Sequence, residues 1–338
     1  MTKPKTTAPV TRPTTEPMSR PITNPTTGPT TETMTEPQPP RPNSYRVLRE
    51  ARHGTVRIRG LDMHLRSWGP EPRGDEPRWL LLHGYQDTGD TFQFLVDALE
   101  RDWPLTALDW RGFGSSGWSQ NGYWFPDYLA DLDALLDLLS GDEPVRLIGH
   151  SMGGNIAGLY AGVRPERVRS LVNLEGFGMP RTSPERAPAQ LAQWLEQVKS
   201  IPPLKDYDSF EQLASIIRHR YPRFGEARAA FVARAWGRLE TDGRVHLLGD
   251  SRHRWVNPTL YRREDAEACW RRITAPVLMM VGELSDYLPR LGDDGAEGAM
   301  RSLIPNVEIA RVAGAGHMLH IDQPGTIAPL IERFSDRH

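Results

Sequence analysis

A single cysteine, Cys269, stands in a chain of 338 residues. No internal disulfide can form, which fits a reducing compartment; a lone cysteine in a helical stretch reads as a small buried side chain. An excess of positive charge is also missing: 41 Lys and Arg face 43 Asp and Glu, for a net charge of -2. Nucleic acid is therefore not an expected partner, because phosphate binding relies on clustered Lys and Arg. No apolar run approaches the length that spans a bilayer, and the first residues lack the apolar core of a signal peptide. The expectation is a cytoplasmic protein acting on a small molecule, with no cofactor and no metal. The oligomeric state is not legible in the sequence.

Apolar side chains are nearly absent from residues 1–43, which repeat Thr, Pro and Glu in blocks such as TTEP and TETMTEP. With nothing to bury against the entropy of ordering it, this stretch is expected to be a disordered tail. Composition changes at Tyr45. Residues 45–68 alternate in the β manner around Gly54 and Gly60, and short apolar runs follow at 79–82, 105–108, 145–148, 168–174, 276–281 and 307–312, fit for buried parallel strands. Between them, residues 91–99 and 128–139 carry apolar side chains at helical spacing, and a closing helix is predicted over 324–334. Residues 180–272 break the alternation and read as consecutive helices rich in Arg and Trp. The predicted organisation is a core from 44 to 178, a helical cap from 179 to 272 and a second part of the core from 273 to 338. Repeated strand and helix imply a mostly parallel sheet covered on both faces, with function at the carboxyl ends of its strands.

The stretch VRLIGHSMGGNIAGLY, residues 145–160, places Ser151 between a strand and a helix. A turn so sharp needs small residues two before and two after it, and Gly149 and Gly153 supply them. Unpaired N–H groups at the start of the helix favour negative charge beside the hydroxyl. A serine hydroxyl is a poor nucleophile near neutral pH, so it needs a base, and the base needs a carboxylate to fix its tautomer. His317 follows the last strand in a loop that Gly314 and Gly316 leave free to turn, and it is the expected base. His83, His150 and His320 are expected to be structural. Two carboxylates compete for the third role. Asp286 follows the penultimate strand, but four residues after Gly282 where three is usual, with Ser285 in the usual place. Glu175 ends the strand after the nucleophile helix and is preferred because no gap has to be assumed. Either keeps the order serine, acid, histidine. The backbone N–H groups of Tyr85 and Met152 are the expected oxyanion donors.

Taken together, the HG loop at 83–84, DWRGFGSS at 109–116, GHSMGG at 149–154 and GAGHMLH at 314–320 resemble the α/β-hydrolase fold superfamily from Tyr45 to the end of the chain. Within it, HGYQDTGDTF and DWRGFGSSG look like the serine hydrolase-like branch, related to haloalkane dehalogenases and epoxide hydrolases. Those two enzymes use an aspartate nucleophile where this chain has Ser151, which argues against both activities. LEGFGMP, around Glu175, resembles the dehalogenase segment that carries the acid. The resemblance implies an α/β-hydrolase fold with a helical lid inserted after the strand that ends near Glu175.

Hydrolysis of an ester or related acyl bond through an acyl-enzyme is the expected activity. Carbon–carbon bond hydrolysis by the same serine, and a receptor that binds without turnover, are the alternatives. The cap carries Trp194, Trp236, Trp255 and Trp270, so a small and mostly apolar substrate is expected.

Overall fold

The computed structural model describes residues 44–73 and 76–338; the Thr/Pro-rich stretch of residues 1–43 lies outside them. The chain opens on a hairpin of β1 (Arg52–Ile58) and β2 (Leu61–Trp68). Arg59 and Gly60 close it with φ of 43° and 84°, the left-handed pair that a tight two-residue hairpin turn requires. Strand–helix alternation then sets in: β3 (Trp79–Leu82), α1 (Gln93–Ala98), β4 (Leu105–Leu108), α2 (Phe125–Ser140), β5 (Val145–His150), α3 (Met152–Val163) and β6 (Val168–Leu174). Every residue of β3, β4 and β5 is buried, as continuous apolar strands covered on both faces must be.

The two faces separate with the strand period of two. Leu80 and Leu82 pack with Leu132, Leu135 and Ile156 of α2 and α3, while Leu81 packs with Leu95 and Val96 of α1 and with Ile327 and Ile331 near the C-terminus. Among the described residues eight strands form this sheet in the order β1-β2-β4-β3-β5-β6-β9-β10, where β9 is Val277–Gly282 and β10 is Val307–Val312. Only the β1/β2 and β2/β4 pairings are antiparallel. The chain runs outward from β3 to β4 on one side and returns to β5 on the other. That reversal opens a crevice at the carboxyl ends of the strands, the place where open α/β sheets bind ligands.

The residues between β6 and β9 form the cap: α4 (Ala187–Gln197), α5 (Phe210–Arg220), α6 (Gly225–Trp236), β7 (Gly237–Leu239), β8 (Val245–Leu247) and α7 (Arg263–Trp270). The consecutive helices expected here are interrupted by the β7/β8 hairpin. Strands of three residues are too short to show alternation, and the Asp242–Gly243 step, with Gly243 at φ 80°, was the turn signal. Leu213, Ile217, Phe224 and Val232 of the cap pack together with Phe94 of α1 and with Met318 and Ile321, so its apolar face is seated on the body. Helix α8 (Glu297–Leu303) joins β9 to β10, and α9 (Leu319–Asp322) and α10 (Pro324–Arg337) close the chain. Among the described residues no helix is long and apolar enough to cross a membrane.

Candidate active site

Ser151 falls between the last residue of β5 and the first of α3, with φ 51° and ψ -112°. A non-glycine residue there is strained by about 1–3 kcal/mol, and the packing around it leaves no alternative. A β-carbon on Gly153 would stand 2.0 Å from the Leu82 carbonyl oxygen, and one on Gly149 would stand 2.6 Å from that of Gly153. The two glycines of the motif are thus required by close backbone approach. The strain lifts the serine hydroxyl to the end of the sheet.

There it meets His317. The loop after β10 turns at Gly314, φ 69°, and is held by the Gly316 N–H, which donates to Asp322 Oδ2 at 2.8 Å. His317 Nε2 lies 2.9 Å from Ser151 Oγ, and His317 Nδ1 lies 3.0 Å from Glu175 Oε2. A carboxylate only accepts, so Nδ1 carries the proton and Nε2 is bare to accept from the serine.

Glu175 is fully buried and takes an unusual φ of 62° just past β6. Its carboxylate is held from three directions: the Gly282 N–H donates to Oε1 at 2.7 Å, and Ser285 Oγ donates to Oε2 at 2.5 Å beside the histidine. Of the two carboxylates singled out in the sequence, Glu175 is the one that the fold sets against His317. The other, Asp286, is a correction. Its side chain is 76% exposed and pairs with Arg290 at 2.5 Å. The extra residue after Gly282 leaves Asp286 outward, and Ser285, three residues after Gly282, points in and donates to the Glu175 carboxylate.

The loop of His83 and Gly84 lies against Ser151, so that a β-carbon on Gly84 would stand 3.2 Å from the serine's own. Tyr85 follows in this loop, and Met152 is the first residue of α3, where N–H groups have no partner inside the helix. The Tyr85 hydroxyl donates to the His253 carbonyl at 3.0 Å, which ties the loop to the cap. His253 is sandwiched between Phe113 and Tyr123, at 3.8 and 3.6 Å between ring centres. On the opposite side Tyr287 stacks on His317 at 5.2 Å. Sequence reading missed Tyr287 and His253, and no motif marks either.

The cap tryptophans pack within the cap and against the body. Trp270 is buried under Arg263, Trp255 donates to the Ser200 carbonyl, and Trp194 meets Trp124 edge-on. Trp236 Nε1 donates to Asp87 Oδ1 at 2.7 Å. The arginines are largely paired with carboxylates, as Arg181 is with Glu264, Glu267 and Asp294.

His83, His150 and His320 are buried, and each makes a hydrogen bond inside the protein. His83 accepts the Trp110 N–H at Nε2, 2.9 Å, with Nδ1 2.8 Å from the Gly84 carbonyl. Burial pushes His83 down to about 4 and both His253 and His320 to about 3; it holds His150 well below its ordinary value, with His320 and His317 adding to the effect. Burial also raises Asp87 to about 7. Each such histidine stabilises the fold fully above its unfolded value near 6.5, and that contribution is lost as pH falls toward the folded value. Asp87 has the opposite sign between 3.8 and about 7. Below about pH 6.5 the unfolded chain therefore binds more protons on these histidines than the folded one does, which outweighs the one proton that Asp87 holds in the fold, and stability should fall as pH falls. The melting temperature is expected to fall steeply from pH 7.5 to pH 5; a flat profile would contradict the neutral buried imidazoles.

Against known proteins, a family model described as alpha/beta hydrolase fold matches residues 77–324. A serine hydrolase-like protein of Danio rerio is 40% identical over 113 residues, a third of this chain and a third of that protein. A 2-(acetamidomethylene)succinate hydrolase of Mesorhizobium japonicum is 26% identical over 264 residues, 78% of this chain and 90% of the relative. Among solved structures, a thioesterase domain from the curacin biosynthetic pathway superposes with a TM-score of 0.74 at 24% identity, covering 84% of this chain and 99% of that one. The family match runs from just before β3 to the first residue of α10, well over half of the chain, and this protein belongs to the α/β-hydrolase fold family.

Proposed function

We propose that this hydrolase cleaves an ester or related acyl bond of a small, mostly apolar substrate through an acyl-enzyme on Ser151. The observation that carries the reading is the unbroken chain from Ser151 Oγ through His317 to Glu175, with 2.9 and 3.0 Å links. In the proposed reaction the Ser151 oxygen attacks the carbonyl carbon while its proton passes to His317 Nε2. Glu175 holds the tautomer and stabilises the imidazolium, and the Tyr85 and Met152 amides receive the oxyanion. Collapse expels the alcohol with the proton from His317. Water then repeats the cycle and releases the acid.

The aromatic side chains of Tyr85, next to the Gly84 loop against Ser151, and of Tyr287, stacked on His317, support an apolar acyl or aryl group over a sugar or a peptide. The hydrolase name of the Mesorhizobium relative supports the reaction class. The single cysteine supports a cytoplasmic location. We also propose the cap, residues 179–272, as the unit that sets selectivity. The test is kcat/KM across a matched series of aliphatic, aromatic and charged p-nitrophenyl esters. Activity is expected to fall as the acyl group becomes more polar; a clear preference for anionic esters would overturn the substrate assignment.

A further inference from the structure

Behind His317 lies a buried polar cluster that the proposed reaction does not use. Asp87, Thr91, His150 and His320 are each no more than 2% exposed. His150 Nε2 is 2.9 Å from the backbone oxygen of His317; a carbonyl only accepts, so this nitrogen carries the proton. Its ring rests on that of His320, 4.4 Å between centres. His320 Nε2 lies 3.2 Å from Thr91 Oγ1, and that hydroxyl donates to Asp87 Oδ2 at 2.9 Å, so it accepts from the histidine. Asp87 Oδ1 in turn accepts from Trp236 Nε1 at 2.7 Å and from the Thr88 N–H at 2.8 Å. Trp236 is the last residue of the cap helix α6, and the Thr88 hydroxyl donates to the neighbouring Ala235 carbonyl at 3.3 Å.

We infer that His150 is a positioning residue that fixes the backbone of His317, and that Asp87, Thr91 and His320 transmit to it the seating of the cap through Trp236. The inference rests on His317 acting as the base. Two glycines stand in the 314–317 loop, whose Gly316 N–H is tied to Asp322, and the bond from His150 adds a second hold, on the carbonyl of the base itself, from the side of the strand that carries Ser151. Desolvation keeps both supporting imidazoles neutral, so neither repels the positive charge that His317 gains during reaction. Asp87, His150 and His320 also bring ligand atoms within 4.8 Å of one another, the loose spacing of a metal site. The Asp87 oxygens, however, already accept from Trp236, Thr88 and Thr91, which favours a hydrogen-bonded support over a metal centre, with the Nδ1 atoms of His150 and His320 left unpartnered where the two rings meet.

The experiment compares His150→Leu, His150→Gln, Trp236→Phe, the His150→Leu/Trp236→Phe pair and His317→Ala in the full chain. It reads kcat and KM on a p-nitrophenyl ester, the rate of fluorophosphonate labelling, and the melting temperature. Because small misplacement of a reacting group costs up to about 100-fold, His150→Leu should lower kcat and labelling about 10- to 100-fold with KM within about threefold. Gln offers an N–H at similar reach and should recover most of the loss. Trp236→Phe, which deletes only the indole donor, should lower kcat about 3- to 10-fold, and the pair should be little worse than His150→Leu alone because the two residues act through one path. Lower melting temperature with unchanged kcat, or strictly additive losses, would overturn the inference. So would activity lost to EDTA and restored by Zn²⁺, which would make the cluster a metal centre. Should His317→Ala label normally, the base assignment itself fails; should it label poorly while the His150 and Trp236 variants behave as wild type, only the support fails.

Discussion

Replacing Glu175 by Gln is expected to lower kcat by about four orders of magnitude, whereas Asp286→Asn should stay within about twofold of wild type. The asymmetry follows from geometry. Glu175 accepts from His317 Nδ1 at 3.0 Å inside the protein, so a glutamine amide there can turn its NH₂ toward the ring and force the other tautomer, which offers Ser151 a hydrogen instead of a lone pair. The Gly282 N–H and the Ser285 hydroxyl would lose the charge that they stabilise. Asp286 makes a solvent-exposed pair with Arg290, and such pairs contribute about 0–1 kcal/mol. Steady-state rates on one activated ester decide the matter. Equal and mild losses in the two variants would remove Glu175 from its proposed role.

Ser151→Ala should reduce turnover by about 10⁴- to 10⁶-fold and leave the melting temperature close to that of wild type. In the proposed reaction, loss of the oxygen removes the nucleophile and with it the acyl-enzyme, while the Tyr85 and Met152 amides remain. Alanine has the same backbone demands as serine at the left-handed turn, and its β-carbon fits where that of Ser151 already sits. The variant is therefore a clean comparison: activity disappears and the fold does not. A variant that still turns over esters at wild-type rates would place the chemistry elsewhere.

The elements that position this site were legible because most strands of the core are bounded, largely apolar runs. The segments 79–82, 105–108, 168–174 and 307–312 coincide with β3, β4, β6 and β10; β3 and β4 are buried throughout, as continuous apolar strands covered on both faces must be, while β10, at the edge of the sheet, is only partly buried and carries Glu308 and Arg311. Ser151 and His317 could be named from their motifs, and Glu175 from its place at the end of β6. Other features rest on contacts between distant segments. That Ser285 turns inward and Asp286 outward depends on the path of one loop against β6. The β7/β8 hairpin carries too few residues to show a period. Trp236 looked like one more cap aromatic; its bond to Asp87 joins positions 149 residues apart, and no local pattern encodes it.

Ser151 is the group that the proposed reaction acylates. The most direct measurement treats the full chain with a fluorophosphonate probe, digests it, and locates the adduct by mass spectrometry. One adduct per chain is expected, on the peptide that contains Ser151, absent from Ser151→Ala and strongly slowed in His317→Ala. A label on any other residue, or equal labelling of wild type and Ser151→Ala, would contradict that assignment.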